Sequence, residues 1–147
     1  MTETVLFAAS RALDEPGISI VDAALLATDL GASAMHDPTE GGLASGLHEL
    51  AAASGCLVRV DRRRVRWFEP GRVVCVALGA DPWATLASGC LLATFPQPVA
   101  DVAVARLAER FDTTVLGRLE TGRGVHDETG SEIAWPERDE VARILEQ

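Results

Sequence analysis

The sequence predicts an α+β domain in which a mixed sheet packs against helices. Short apolar runs of strand length alternate with longer segments whose apolar residues recur every three or four positions. Turn signals made of proline and glycine separate these segments. The chain has 147 residues, of which 48% are hydrophobic and 24% charged. That length is enough for one domain with a hydrophobic core.

The chain is expected to have three parts. Residues 1–18 form a lead-in segment, residues 19–136 the domain itself and residues 137–147 a C-terminal tail. The lead-in segment contains a short helix over residues 3–13, which ends at the turn Asp14-Glu15-Pro16-Gly17 because proline and glycine interrupt a helix.

The domain is predicted to begin with a helix and a short apolar run. Ser19 can cap a helix that continues to Leu30, with Gly31 at its end, as expected for a helix that stops at glycine. The helix leads directly into the apolar run over residues 32–35.

A strong helix start signal follows over residues 36–42, which read His-Asp-Pro-Thr-Glu-Gly-Gly. Asp37 is a suitable N-cap and Pro38 fits the first helical position. Glu40 stands where the acid of a capping box belongs. This pattern predicts a central helix over residues 38–54.

Two glycines, Gly41 and Gly42, stand inside that predicted helix, where each costs about 1 kcal/mol relative to alanine. One explanation is packing, because Gly42 and Gly46 lie four apart and would let a neighbouring element approach closely. The other is anion binding, since the free N–H groups of Thr39 to Gly42 and the helix dipole would attract phosphate. The sequence leaves both explanations open.

The middle of the chain contains one clear strand and one ambiguous segment. Residues 56–60 alternate like a strand, and residues 65–68 extend it or pair with it. The apolar run over residues 73–78 suits either a strand or a short buried helix. Asp81-Pro82 then starts a short helical stretch that reaches Ala87.

The last third of the chain is predicted to form a strand-helix-strand unit with two turns after it. The unit comprises a buried strand over residues 90–95, a helix over 98–111 and a strand over 113–119. Residues 122–124 resemble a hairpin turn, and residues 128–130 a second turn before an apolar run at 133–135. The tail from residue 137 is helical or frayed.

Composition excludes several classes of protein. The net charge of −9 argues against nucleic-acid and anionic-membrane partners, which such a field repels. No apolar stretch reaches 18 residues and no signal peptide is recognisable, so a cytoplasmic location is expected. The three cysteines suggest inert core thiols and no zinc site; they are Cys56, Cys75 and Cys90.

Histidines and arginines are the remaining candidates for chemistry. His36 could donate a proton, bind phosphate or be structural. His48 and Glu49 lie about 100° apart on a helix and do not form an H-E-x-x-H pair, so no metal is expected there. A cluster of arginines could hold a phosphorylated substrate or an acidic partner, or be a solvated face; it comprises Arg59, Arg62, Arg63, Arg64, Arg66 and Arg72.

Six segments of the sequence carry a resemblance to a known family: residues 34–43, 47–51, 54–55, 78–82, 87–93 and 114–119. Together they resemble the C-terminal domain of the aminoimidazole ribonucleotide (AIR) synthase superfamily. That superfamily includes hydrogenase maturation carbamoyl dehydratase, selenophosphate synthetase, thiamine monophosphate kinase and formylglycinamide ribonucleotide amidotransferase. The resemblance extends over residues 17–135 and implies a three-layer, partly ferredoxin-like domain with a helix at residues 72–78.

The resemblance implies half of an ATP-dependent enzyme. Members of the superfamily hold ATP and magnesium in an N-terminal half, which this chain lacks, so no cofactor is expected on this chain alone. The implied partners are that N-terminal half, in cis or in trans, and a small phosphorylated substrate, with a homodimer as an alternative. No catalytic residue is assigned, and the implied substrate or phosphate site comprises His36, Asp37, Thr39, Glu40, Gly41 and Gly42.

The chain departs from the superfamily in two respects. Relatives often have a basic or neutral residue in place of Glu40, which opposes anion binding here. Hydrogenase maturation carbamoyl dehydratase acts through a C-terminal cysteine, whereas the last cysteine of this sequence is Cys90, so that chemistry is not expected. Two other functions stay open: a non-catalytic binding or dimerisation module, and a metal hydrolase that uses His36, Asp37 and His48.

Overall fold

The computed structural model describes residues 1–146 and confirms the α+β class. Its α-helices are α1 (Glu3–Ser10), α2 (Val21–Asp29), α3 (Gly42–Ser54), α4 (Glu69–Ala77), α5 (Gln97–Ala108) and α6 (Glu140–Leu145). Its strands are β1 (Ala34–His36), β2 (Leu57–Val60), β3 (Leu92–Thr94), β4 (Gly117–Glu120) and β5 (Gly124–Asp127).

The larger sheet is mixed and has β2 at its centre. β4 pairs with β2 in the antiparallel direction, and β5 pairs with the other edge of β2 in parallel. Val58 faces Leu119 on one side and Val125 on the other. Because Val58, Val60 and Val125 are all buried, this sheet supplies one face of the hydrophobic core.

Helix α3 supplies the other face of the core. Every residue from Gly42 to His48 is buried, which is the pattern of a helix enclosed on most sides. The sheet and α3 are joined in the core by Trp83, from the segment after α4, and by Ile133, from the segment after β5. The cluster comprises Leu43, Ala44, Leu47, Ala51, Val58, Val60, Trp83, Val125 and Ile133.

The smaller sheet contains only β1 and β3, which pair in the antiparallel direction with Met35 opposite Ala93. The predicted strand-helix-strand unit is therefore incorrect as a single unit, because its two strands, β3 and β4, belong to different sheets. The second strand also begins at Gly117, four residues later than expected. Helix α5 connects the two sheets.

The predicted hairpin at residues 122–124 is wrong. β4 and β5 do not pair, since β2 lies between them, and the connecting loop crosses the end of β2. At Gly122 a Cβ atom would lie 3.1 Å from the Cβ of Leu57. The glycine therefore allows the chain to cross close to β2, a contact that a hairpin would not make.

Other boundaries differ in ways that packing explains. Residues 65–68 form no strand, because Val65 and Trp67 pack against the core and Trp67 meets Trp83 edge to face at 5.9 Å. Ser19 does not cap α2, whose N-cap is Ile20 without a side-chain hydrogen bond. The ambiguous run after residue 72 lies in helix α4, as the family resemblance implies.

Other expectations agree with the structure. Asp81 caps a short helical turn over Pro82–Ala84 by accepting a hydrogen bond from the Trp83 N–H. None of the helices described is long and apolar enough to cross a membrane. The boundaries proposed at residues 18 and 136 stay a prediction.

The glycines on α3 are sites of close packing. A Cβ atom on Gly42 would lie 2.5 Å from the Thr85 carbonyl oxygen and 2.6 Å from that of Trp83. On Gly46 it would lie 2.6 Å from the Cβ of Pro38. The packing explanation therefore holds at both positions, and the neighbours that come close are a loop and a proline, not the strand or second helix expected.

We predict that Gly42→Ala destabilises the fold far more than Gly55→Ala. Both residues have positive φ, +64° and +65°, but only Gly42 faces backbone atoms within 4 Å. Backbone strain and overpacking each cost about 1–3 kcal/mol, whereas Gly55→Ala incurs the strain alone. Urea unfolding measures the two free energies, and equal losses would contradict the packing role of Gly42.

Candidate functional site

The central helix begins four residues later than its start signal predicts. Its first residue is Gly42, and its N-cap is Gly41 with φ +73°. Asp37 is exposed and does not cap the helix. Pro38 is fully buried and contacts α3 at Gly46, so the chain passes alongside the helix before turning into it.

This turn requires the two glycines. Gly41 and Gly42 both adopt left-handed φ values, +73° and +64°, which residues with a Cβ atom rarely take. The capping-box signal is a local preference worth about 1 kcal/mol. Burial of Pro38 and the close approach of Gly42 to the 83–85 backbone outweigh that preference.

The N–H groups at this turn are only partly available to a ligand. The Gly42 N–H donates to the Thr39 carbonyl at 3.0 Å, and the Gly41 N–H donates to Oδ2 of Asp139 at 2.8 Å. Within residues 1–146, the N–H groups of Thr39 and Glu40 find no protein acceptor. The predicted set of four free donors is therefore reduced to two.

The true helix start contributes two more donors. The first turn of any α-helix leaves N–H groups without intrahelical partners, and here those of Leu43 and Ala44 have no acceptor among the described residues. Both residues are buried. The backbone around the glycine turn thus presents donors from the loop and from the helix, while the exposed carboxylates of Asp37 and Glu40 make its surroundings acidic.

His36 lies beside this turn and pairs with α3. Its Nε2 is 2.5 Å from Oε2 of Glu49, and His36 is half-buried while Glu49 is exposed. The sequence did not predict this pair, because the two residues lie 13 positions apart and no local spacing motif connects them. Glu49 points toward β1 and orients the imidazole at the edge of the site.

His48 has a structural position. It is buried, its Nε2 lies 2.7 Å from the Ile133 carbonyl, and its ring stacks on Trp135 at 5.0 Å. Because a carbonyl oxygen only accepts, Nε2 carries the hydrogen. The proposed metal set of His36, Asp37 and His48 is not brought together, and no cluster of three metal-ligating side chains occurs in the described part of the chain.

The arginine cluster is neutralised by the protein itself. Asp61 accepts hydrogen bonds from Arg63, which lower the pKa of the Asp61 carboxyl. Arg62 lies over the Trp83 ring at 4.8 Å. The solvated-face interpretation therefore accounts for this group. Its other ion pairs are Arg59 with Glu120, Arg64 with Asp61, Arg66 with Asp112 and Arg72 with Glu69.

The C-terminal tail lies against the site, which sequence reasoning missed. Besides the Asp139 contact with Gly41, Glu140 accepts a hydrogen bond from the Asp81 N–H at 3.0 Å, and Arg143 donates to the Gly79 carbonyl at 2.8 Å. The Arg143 side chain, then the Asp81 N–H, lower the pKa of Glu140 to about 2. The Glu140 carboxylate therefore stays charged at pH values below the ordinary carboxyl pKa, and these contacts are lost only as the pH falls toward about 2.

A cleft of about 560 Å³ lies between the tail and the body of the domain. Its apolar wall includes Ala44, from the first turn of α3, together with Trp83 and Ile133. Arg62 and residues of the tail complete it. The volume lies in the range of small-molecule sites, and the cleft adjoins the glycine turn through Ala44.

Comparison with known sequences identifies relatives of the chain. The family described as "AIR synthase related protein, C-terminal domain" matches residues 9–128. Carbamoyl dehydratase HypE of Azotobacter vinelandii is 34% identical over 118 residues, which cover 80% of this chain and 33% of that protein. The Rhodobacter capsulatus HypE is 31% identical, with 72% of this chain and 31% of that protein covered. The chain spans about a third of the length of these relatives.

Solved structures have the same fold. E. coli HypE superposes with a TM-score of 0.73 at 25% identity, covering 85% of this chain and 42% of that chain. Thiamine monophosphate kinase from Aquifex aeolicus superposes with a TM-score of 0.62 at 21% identity, covering 90% and 43%. The match with the kinase supports the fold alone.

We predict that His48→Ala lowers stability strongly whereas His36→Ala does not. Loss of the buried His48 ring removes a hydrogen bond and leaves a cavity, at a cost of about 2–4 kcal/mol. The half-exposed His36 pair with Glu49 contributes at most about 1 kcal/mol. Urea unfolding with and without added Zn²⁺ measures this difference. Stabilisation of the wild type by Zn²⁺ that depends on both histidines would contradict the structural role of His48.

Proposed function

Because the chain belongs to the family of AIR synthase related proteins, C-terminal domain, we propose that it is the substrate-side domain of an ATP-dependent enzyme. The domain acts together with an N-terminal half that holds ATP and magnesium. Without that half, the domain is inactive. The observation that carries the proposal is the family match over residues 9–128 combined with coverage of about a third of the full-length relatives.

Solved relatives have been obtained with different ligands, and the relatives differ in reaction. One HypE structure is a complex with ATP, and one thiamine monophosphate kinase structure holds AMPPCP and TMP. Carbamoyl dehydratase and kinase are different activities. The proposal for this chain therefore includes ATP dependence and leaves its reaction and catalytic residues unassigned.

The glycine turn is the proposed substrate or phosphate site. The six residues implied by the family motif, His36, Asp37, Thr39, Glu40, Gly41 and Gly42, surround the start of α3. N–H donors and the positive end of the helix dipole favour an anion there. The acidic side chains of Asp37 and Glu40 weaken that attraction, so affinity depends on the backbone.

Protein partners are part of the proposal. Helices α1 and α4 lie against each other and leave large apolar side chains exposed, among them Leu6, Phe7 and Val76. Such surfaces suit protein contacts. We propose the N-terminal half, in cis or in trans, as the principal partner, with self-association as the alternative and the cytoplasm as the location. One structure with the same fold is a HypE–HypF complex.

The second candidate is a binding or dimerisation module without catalysis. The observation that favours it is Glu40, an acid at the mouth of the proposed phosphate site. The two candidates differ in one respect that can be measured: only the enzyme domain gains ATP turnover when the missing half is supplied.

We predict that this chain neither hydrolyses ATP nor binds it tightly alone, and that a matching N-terminal half restores turnover on mixing. ATP hydrolysis and nucleotide binding are measured for the chain, for the N-terminal half and for both together. Turnover by the chain alone would contradict the half-enzyme proposal. If no N-terminal half encoded in the same genome binds or activates the chain, that result would favour the non-catalytic module.

We predict that Glu40→Gln increases the affinity for inorganic phosphate at low ionic strength. Removal of one like charge at a helix N-terminus is worth about 0.3–1 kcal/mol, or roughly a two- to fivefold change in Kd. Asp101→Asn is the matched control, because Asp101 is exposed on α5 and changes the net charge equally. Amide shifts of Thr39 to Ala44 in a phosphate titration report binding, and equal affinities of the two variants would argue against a site at this turn.

A further inference from the structure

The C-terminal segment over residues 137–146, called the strap below, occupies the proposed anion site. Asp139 uses one carboxylate oxygen, Oδ2, to accept from the Gly41 N–H at 2.8 Å. Its other oxygen, Oδ1, accepts from the Val141 N–H at 2.8 Å and caps α6. A single carboxylate therefore joins the starts of two helices that lie 98 residues apart in the chain.

We propose that the strap is an autoinhibitory cover, in which the Asp139 carboxylate takes the place of a phosphate oxygen and must leave before a phosphorylated ligand binds. This inference rests on the proposed function, because it assumes that the glycine turn is the anion site. Carboxylate and phosphate oxygens use the same N–H donors, and the Gly41 N–H has only one hydrogen to give. Ligand and strap consequently compete for it.

The strap is attached in a way that permits release. Its hydrogen bonds with the domain join Asp139 to Gly41, Glu140 to the Asp81 N–H and Arg143 to the Gly79 carbonyl. Helix α6 has no buried residue, and its Val141 and Leu145 side chains stay exposed. A helix of six residues is marginal without such contacts, so loss of the Asp139 contact weakens the whole attachment.

The strap closes one side of the cleft described above. Its wall includes Ala44, whose N–H belongs to the first turn of α3, and strap residues Arg138, Glu140 and Arg143. After the strap leaves, a ligand with its phosphate at the glycine turn would extend along the remaining wall of Ala44, Trp83 and Ile133. Release of the strap also removes the negative charge of Asp139 from the glycine turn, where Asp37 and Glu40 already repel an anion.

The test compares Asp139→Ala with Asp101→Ala in the full chain. Asp101 is exposed on α5, outside both the strap and the cleft, so its replacement changes the charge equally without touching Gly41. Inorganic phosphate is the probe, and the amide shifts of Gly41 and Ala44 report binding. We expect Asp139→Ala to bind phosphate about tenfold more tightly than the wild type, the size of one charge-assisted hydrogen bond, and Asp101→Ala to bind it nearly as the wild type does.

A second readout uses the wild type alone. If ligand and strap compete, saturating phosphate must increase hydrogen exchange at Val141 to Leu145, because coupling between two binding events is reciprocal. A strap that is merely structural would show no such change. Asp139→Asn removes the charge and keeps one acceptor oxygen, which can serve only one of the Gly41 and Val141 N–H groups. We therefore expect an affinity between those of the wild type and Asp139→Ala.

The possible failures are distinguishable. Equal phosphate affinity in the wild type and Asp139→Ala, with unchanged exchange in the strap, would overturn the cover while leaving the anion site intact. Absence of amide shifts at Gly41 and Ala44 in both proteins would overturn the anion site of the proposed function, and the cover with it.

Discussion

The close approach of helix α3 to its neighbours is the constraint on which the rest of the structure depends. At Gly42 the 83–85 backbone comes within 3 Å of where a Cβ atom would stand, and at Gly46 the ring of Pro38 does the same. The sheet residues Val58, Val60 and Val125 contribute to the same core. These contacts hold both flanking loops against the helix start, so packing and the candidate site share the same residues.

The backbone at this turn makes close packing contacts, and in the proposed function it also supplies the donors for an anion. The chain has a net charge of −9, and the clustered arginines engage acids or Trp83 within the domain. Arg62 and two arginines of the strap, Arg138 and Arg143, line the adjoining cleft, but at the glycine turn itself the proposed donors are N–H groups and the helix dipole. The carboxylates of Asp37, Glu40 and Asp139 oppose their attraction for an anion.

Much of the fold could be predicted from the sequence, because it rests on local patterns. Alternation placed β2, glycine placed the end of α3, and the Asp-Pro pair placed the short turn at residues 82–84. Prediction failed where a local signal competed with distant packing. The capping-box pattern at residues 37–40 is a genuine preference, yet burial of Pro38 and the left-handed glycines shift the helix start to Gly42. The apolar run over residues 73–78 fits a strand and a short buried helix equally well, so no local rule could choose between these two structures.

The sequence by itself determined the fold class and the family, because both follow from spacing and residue type along the chain, and it singled out the residues from His36 to Gly42 as the candidate site. Only the tertiary structure decided which of those groups are free to act. The His36–Glu49, His48–Ile133 and Gly41–Asp139 contacts join residues 13, 85 and 98 positions apart. Such contacts depend on the path of the whole chain, which no local pattern specifies. The motif predicts an open anion site. In the folded domain, its Gly41 N–H already donates to the carboxylate of Asp139.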